Sequence, residues 1–190
     1  AFSIVTGDLS PKNYSKFNYN TGYPSHYMWK DPATFSVVRY TLFFLFLGGK
    51  SIFTTSFLTA SFSYIGIWKL FQLFVKIYPK YVQPLSIAIL FIPSFSFWGS
   101  GIMKDTFVVG AACWITANFY AVFIQRKKLL LNILLLGFNF FLIVNLKSYL
   151  IICLLPGMLF WINSAYLTQL KNPLLKWLVL PLLIGTLSLI

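Results

Sequence analysis

Few residues in this sequence are equipped for chemistry. Only three side chains are acidic, Asp8, Asp31 and Asp105, against 15 lysines and arginines and a single histidine. Asp105 closes the stretch Pro93-Ser94-Phe95-Ser96-Phe97-Trp98-Gly99-Ser100-Gly101-Ile102-Met103-Lys104-Asp105, where proline, glycine and serine break a helix just before a lysine and an aspartate. An aspartate at the head of an apolar helix is either a helix cap or a functional carboxylate. In the functional reading, Asp8 or Asp105 is a general base toward an acceptor hydroxyl or amine. Lys104 and Lys147 then hold a phosphate as point charges. Such a set suits a substrate whose phosphate is fixed at a lipid surface. In the plainer reading Asp105 caps its helix and Lys147 only reaches for head groups.

Most familiar site signatures are missing. The sequence contains no glycine-rich phosphate loop and no nucleophile elbow. One histidine and two separated cysteines, Cys113 and Cys153, do not make a usual zinc site. Both cysteines lie inside apolar runs and read as small packing residues. No organic cofactor is expected; a divalent cation beside Asp105 fits the same carboxylate.

These groups must be positioned by elements that lie in lipid. The chain has 190 residues, 58% of them hydrophobic and 9% charged, with a mean hydropathy of +0.78. Several apolar runs approach the roughly 20 residues needed to cross a bilayer. The expectation is an all-α, multi-pass membrane helix bundle. A net charge of +12 could point to nucleic acid. The basic residues, however, are scattered or sit in short loops between helices, a pattern of membrane topology and anionic head groups, so no nucleic acid is expected.

Residues 1–33 form the long polar segment, punctuated by Gly7, Pro11, Gly22, Pro24 and Pro32. They read as an outer loop, either a plain connector or a substrate-facing surface of aromatic and amide side chains. Residues 34–49 hold an apolar run, Thr34 to Leu47, with Arg39 inside it, ended by Gly48-Gly49-Lys50. A helix of that length reaches roughly 21 Å, short of a roughly 30 Å core. An interfacial helix with a snorkelling Arg39 is expected, with a short tilted span as the alternative.

Residues 50–190 are expected to form the membrane bundle, with about six spans. The runs are 51–77, 85–98, 101–124, 129–146, 149–167 and 177–190. In the first, Thr55, Thr59 and Ser63 share one face and favour close helix packing. Asn132, Asn139 and Asn145 interrupt the leucine-rich run, and Pro156-Gly157 should bend the next one. The sequence starts without Met and stops inside an apolar run, so truncation at both ends is expected, with a preceding membrane helix missing. Basic loops at 76–83, 126–128 and 171–176 fall on one side by parity, and the positive-inside tendency makes that side cytoplasmic. Asp8, Asp31, Asp105 and Lys147 then share the outer side.

The run Phe91 to Asp105 resembles a motif of polytopic bacterial proteins in the GT-C glycosyltransferase class, relatives of protein O-mannosyltransferases and of the lipid A aminoarabinose transferase. Order and spacing elsewhere are similar to that class. Gly7-Asp8 with Tyr14 resembles the acidic patch of its first outer loop, Thr34 to Leu47 its interfacial helix, and Asp105 its second acid. Asn145-Leu146-Lys147-Ser148-Tyr149 followed by Pro156 resembles its lysine segment. One departure is that Asp8 lacks the adjacent second acid that some members carry.

The resemblance implies a GT-C-like fold in the plasma (inner) membrane. It implies transfer of a sugar from a polyprenyl-phosphate donor to a glycan, lipid or protein acceptor on the outer side. Asp8 and Asp105 are then catalytic, and Lys104, Lys147, Tyr149 and Tyr14 bind substrate. An oligosaccharide polymerase or ligase uses similar lipid-linked substrates. A transporter or flippase of such substrates would instead keep polar residues near mid-membrane, where Asn132 and Asn139 are the hints.

Overall fold

A computed structural model describes residues 10–20, 22–24 and 31–167, and all regular structure among them is helical. After a single turn, α1 (Pro11–Tyr14), come α2 (Pro32–Leu47) and α3 (Ile52–Ile77). A 3₁₀ turn, Pro79–Tyr81, leads to α4 (Val82–Leu90) and α5 (Pro93–Gly99). Then follow α6 (Lys104–Tyr120), continued by a π turn over Ala121–Gln125, α7 (Leu129–Lys147) and α8 (Tyr149–Leu167). Asp8 and the run 177–190 lie outside the described residues.

Among the described residues, three helices are long and apolar enough to cross a membrane: Ile52–Ile77, Lys104–Gln125 and Leu129–Lys147. Phe35–Leu47 and Tyr149–Trp161 are apolar but shorter. Hydropathy predicts about six spans, including one through 85–98. That run is instead broken into α4 and α5. Proline at 93 has no N–H and disfavours helical backbone at the residue before it; Ile92 is accordingly extended, at φ −70° and ψ 119°. Pro93 then starts α5, where its fixed φ suits a first helical position.

The bundle is organised around α6, which packs between α3 and α7; α2 lies on α3 and α7, and α4 on α3. Between helices in lipid there is little hydrophobic driving force, so close backbone approach and dispersion contacts carry the association. The α3 stripe read from the sequence supplies that approach, since Thr55, Thr59 and Ser63 are all fully buried. The Thr59 hydroxyl donates to the Thr55 carbonyl at 2.9 Å, so it is satisfied within its own helix. One turn on, Gly66 meets Gly110 of α6. A Cβ on Gly66 would come within 2.6 Å of the Gly110 carbonyl oxygen and 2.7 Å of Trp114 Cδ1. The outward faces carry large apolar side chains, with Phe46, Phe53 and Leu130 each about four-fifths exposed. Surfaces so broadly apolar belong against hydrocarbon rather than water.

Candidate functional site

The geometry of the site begins at the head of α6. Met103, extended at φ −128° and ψ 156°, occupies the N-cap position and makes no side-chain cap bond. The Thr106 hydroxyl is fully buried and lies 2.8 Å from the Trp98 carbonyl and 2.7 Å from that of Gly101. It therefore ties α5 and the Ser100–Met103 turn back onto the first turn of α6. This knot fixes Lys104 and Asp105, the first two residues of the helix. Asp105 is in the first turn but is not the cap, so the capping reading does not hold. A carboxylate there still benefits from the positive end of the helix dipole.

Lys147 is the last residue of α7, where a cation suits the negative end of the dipole. Its Nζ donates to Asp105 Oδ1, forming an ion pair across α6 and α7. The Tyr149 hydroxyl also bears on the Lys147 ammonium. Both partners of the pair are about one-third exposed or less, so solvent reaches them from one side. A second pair joins Lys104 Nζ to Asp31 Oδ2 at 4.0 Å. Adjacent residues on α6 thus reach in two directions, to the start of α2 and to the end of α7.

Four of the six expected site residues are accounted for here. Asp105, Lys147 and Tyr149 come together, and Lys104 stands next to Asp105 with Asp31 as its partner. Tyr14 is held in its own loop, its hydroxyl 3.4 Å from the Pro24 carbonyl and its ring 6.3 Å from that of Phe17. Asp8 falls outside the described residues. Among the described residues no group of three His, Cys, Asp or Glu gathers as a metal site.

Two residues take places that the sequence does not announce. Asp31 reads there only as a loop acid; its position just before Pro32, at the start of a helix, is the available signal. Arg39 is expected to snorkel to head groups. Its Nε is buried without a partner, and the residue lines a cavity of about 460 Å³ with Tyr40, Phe44, Phe62 and Phe107. Asn132 is not a mid-membrane polar group, because it stands in the first turn of α7 and its amide donates to the Lys127 carbonyl at 2.7 Å.

A larger cavity of about 600 Å³ opens beside Lys104. Its walls are mainly apolar, including Phe35, Val38, Leu42, Leu45 and Ile102, and its one charged wall residue is Lys104. An ammonium carries three donors, so pairing with a carboxylate leaves Lys104 and Lys147 capacity for phosphate oxygens. Comparison with known proteins returned no matching family model, no matching curated protein and no matching solved structure.

Proposed function

We propose that this chain is the membrane part of a glycosyltransferase that moves a sugar from a lipid-linked phosphate donor to an acceptor at the Asp105 end of the bundle. The observation that carries the reading is the apolar cavity walled by Lys104, whose neighbour in sequence, Asp105, holds Lys147. An amphiphile with a hydrocarbon chain and a phosphate head matches that distribution of apolar wall and cation. In the proposed reaction the acceptor oxygen or nitrogen attacks the anomeric carbon as the bond to the donor phosphate breaks. The bonding electrons leave on the phosphate oxygen, where Lys147 and Lys104 stabilise the charge. Asp8 takes the acceptor proton, and Asp105 holds Lys147 in place.

The test is sugar transfer by the intact protein in membranes. Asp8→Asn should lower transfer about 10²-fold or more with expression unchanged. Lys147→Ala should weaken donor use, and Lys147→Arg should retain part of it, because the charge stays while the geometry changes. Wild-type transfer in Asp8→Asn and unchanged donor dependence in Lys147→Ala would together remove the proposal.

A transporter of lipid-linked substrates is the second reading, favoured by two amides buried inside the bundle. Asn118 Nδ2 and Asn139 Oδ1 are both buried without a hydrogen-bond partner. Movement of an unmodified lipid-linked substrate across vesicles, with no sugar transferred, would select it.

A further inference from the structure

Helix α2 stands between two cavities. Val38, Thr41, Leu42 and Leu45 line the one walled by Lys104. Arg39, Tyr40, Phe43 and Phe44 fall on the opposite side of the helix and line the cavity of about 460 Å³. The proposed transfer chemistry makes no use of this second cavity. Its inner wall is aromatic: the buried Phe107 ring lies 6.0 Å from that of Tyr40 and 6.2 Å from those of Phe44 and Phe62. Phe43 of α2 and Phe138 of α7 also line it, and both are more than half exposed, so it opens to the outer face of the bundle between these helices.

Two properties of the lining select a ligand. The first is that the walls are ring and hydrocarbon surface except at Arg39 and Tyr40. A water needs about two to four polar partners, so a space lined in this way suits apolar matter better than water. The second is a permanent cation. Arg39 Nε is buried with no hydrogen-bond partner among the described residues. The two described acids are engaged elsewhere, Asp31 with Lys104 and Asp105 with Lys147. A buried donor left unmade is costly, more so when it belongs to a cation. Snorkelling alone would bring the outer nitrogens to head groups and leave Nε unmet. A guanidinium presents paired N–H groups as a fork that fits a carboxylate. One cation balances one negative charge. A phospholipid would bring two chains and a head group to a space of this size, whereas a free fatty acid brings one chain and a carboxylate.

We propose that this cavity binds a long-chain carboxylate, with its head on Arg39 and its chain against Phe44, Phe62 and Phe107. The volume lies within the roughly 300–1,000 Å³ of small-molecule sites. The site does not rest on the transferase reading, whose cation Lys104 lies across α2.

The experiment uses the full chain in phosphatidylcholine nanodiscs and palmitate carrying a photoreactive diazirine on its chain. Labelled positions are read by peptide mass spectrometry. The labelling that excess plain palmitate removes should fall on the segments of α2, α3, α6 and α7 around Phe44, Phe62, Phe107 and Leu142. The same probe with an alcohol in place of the carboxylate should label them about tenfold less, the weight of one charge-assisted hydrogen bond. Arg39→Gln should lower palmitate labelling by a similar factor, and Arg39→Lys should keep part of it, because the charge stays while the fork is lost. The alcohol comparison needs no substitution, so it decides the matter even where Arg39→Gln folds poorly. Equal labelling by alcohol and carboxylate would overturn the proposal, as would undiminished labelling in a folded Arg39→Gln protein. Labelling lost in Lys104→Gln but not in Arg39→Gln would move the ligand to the other cavity and also overturn it. So would displacement of the probe by phosphatidylglycerol at matched concentration, which would mark a site for phospholipid head groups.

Discussion

Asp105 and Lys147 each suit the dipole of their own helix end, and they also face one another, so the pair has two separable roles. As a clamp it joins the first turn of α6 to the last turn of α7. As part of a site it orients an ammonium toward a phosphate. Ion pairs with this much exposure contribute about 0.2–1 kcal/mol to stability, and a double-mutant cycle isolates that contribution. The charge-swapped double variant Asp105→Lys with Lys147→Asp separates the roles. It should restore the pairing but not the two helix-dipole interactions, so it should recover only part of the stability lost by either single substitution, and it should not recover transfer, because the ammonium then projects from the wrong helix. Transfer restored in the swapped protein would reduce the pair to a clamp. Much of this site was legible in the sequence because charge is so scarce there: a lysine closing an apolar run and an aspartate opening another are conspicuous. What the sequence could not show was which lysine meets which acid. Lys104 adjoins Asp105 in sequence but reaches Asp31, since consecutive helical residues do not face each other.

At the scale of the helices, the contact that holds the bundle is the crossing of α3 and α6 at Gly66 and Gly110. A methyl group at Gly66 would collide with backbone, which cannot rotate aside as a side chain can. Gly66→Ala should therefore lower stability in detergent by about 1–3 kcal/mol, the usual cost of overpacking. A methyl group added at Gly137, on α7, would have nothing within 4 Å, so its replacement meets open space. Gly137→Ala should be neutral or gain about 0.5–1 kcal/mol from helix propensity. Thermal unfolding of the two variants side by side decides the matter, and a Gly66→Ala protein as stable as Gly137→Ala would mean that the crossing is not tight. The hydroxyl stripe of Thr55, Thr59 and Ser63 pointed to this face from spacing alone. Its partner was hidden, because nothing in the spacing of Gly110 distinguishes it from the other glycines. Helix limits were also readable where Gly, Pro and charge coincide, as at Gly48-Gly49-Lys50. The run through 85–98 misled because hydropathy does not register that Pro93 forces Ile92 out of the helix.

At the scale of the whole molecule, charge is sorted by end. The described carboxylates, Asp31 and Asp105, lie at one end with Lys104 and Lys147, whereas Lys76 and Arg126–Lys128 lie at the other with no described acid. α3 and α6 carry this polarity together, since Gly66 meets Gly110 and Lys76 meets Gln125, so the two helices run in the same direction. The broken α4–α5 segment returns the chain between them. If the bundle crosses a membrane, the two ends face opposite compartments, and a site at the Asp105 end opens to only one of them. Single cysteines at positions 8, 103 and 127 test this in a background with Cys113 and Cys153 replaced by alanine. Met103 and Lys127 are exposed and suit an impermeant thiol reagent. Positions 8 and 103 should label from the same side of sealed vesicles and position 127 from the other. The positive-inside tendency places position 127 in the cytoplasm. Labelling of 103 and 127 from one side would contradict a membrane-crossing α6. Labelling of 8 and 103 from opposite sides would leave α6 crossing but separate Asp8 from Asp105. The proposed base would then be unable to share a substrate with the Lys147 ammonium.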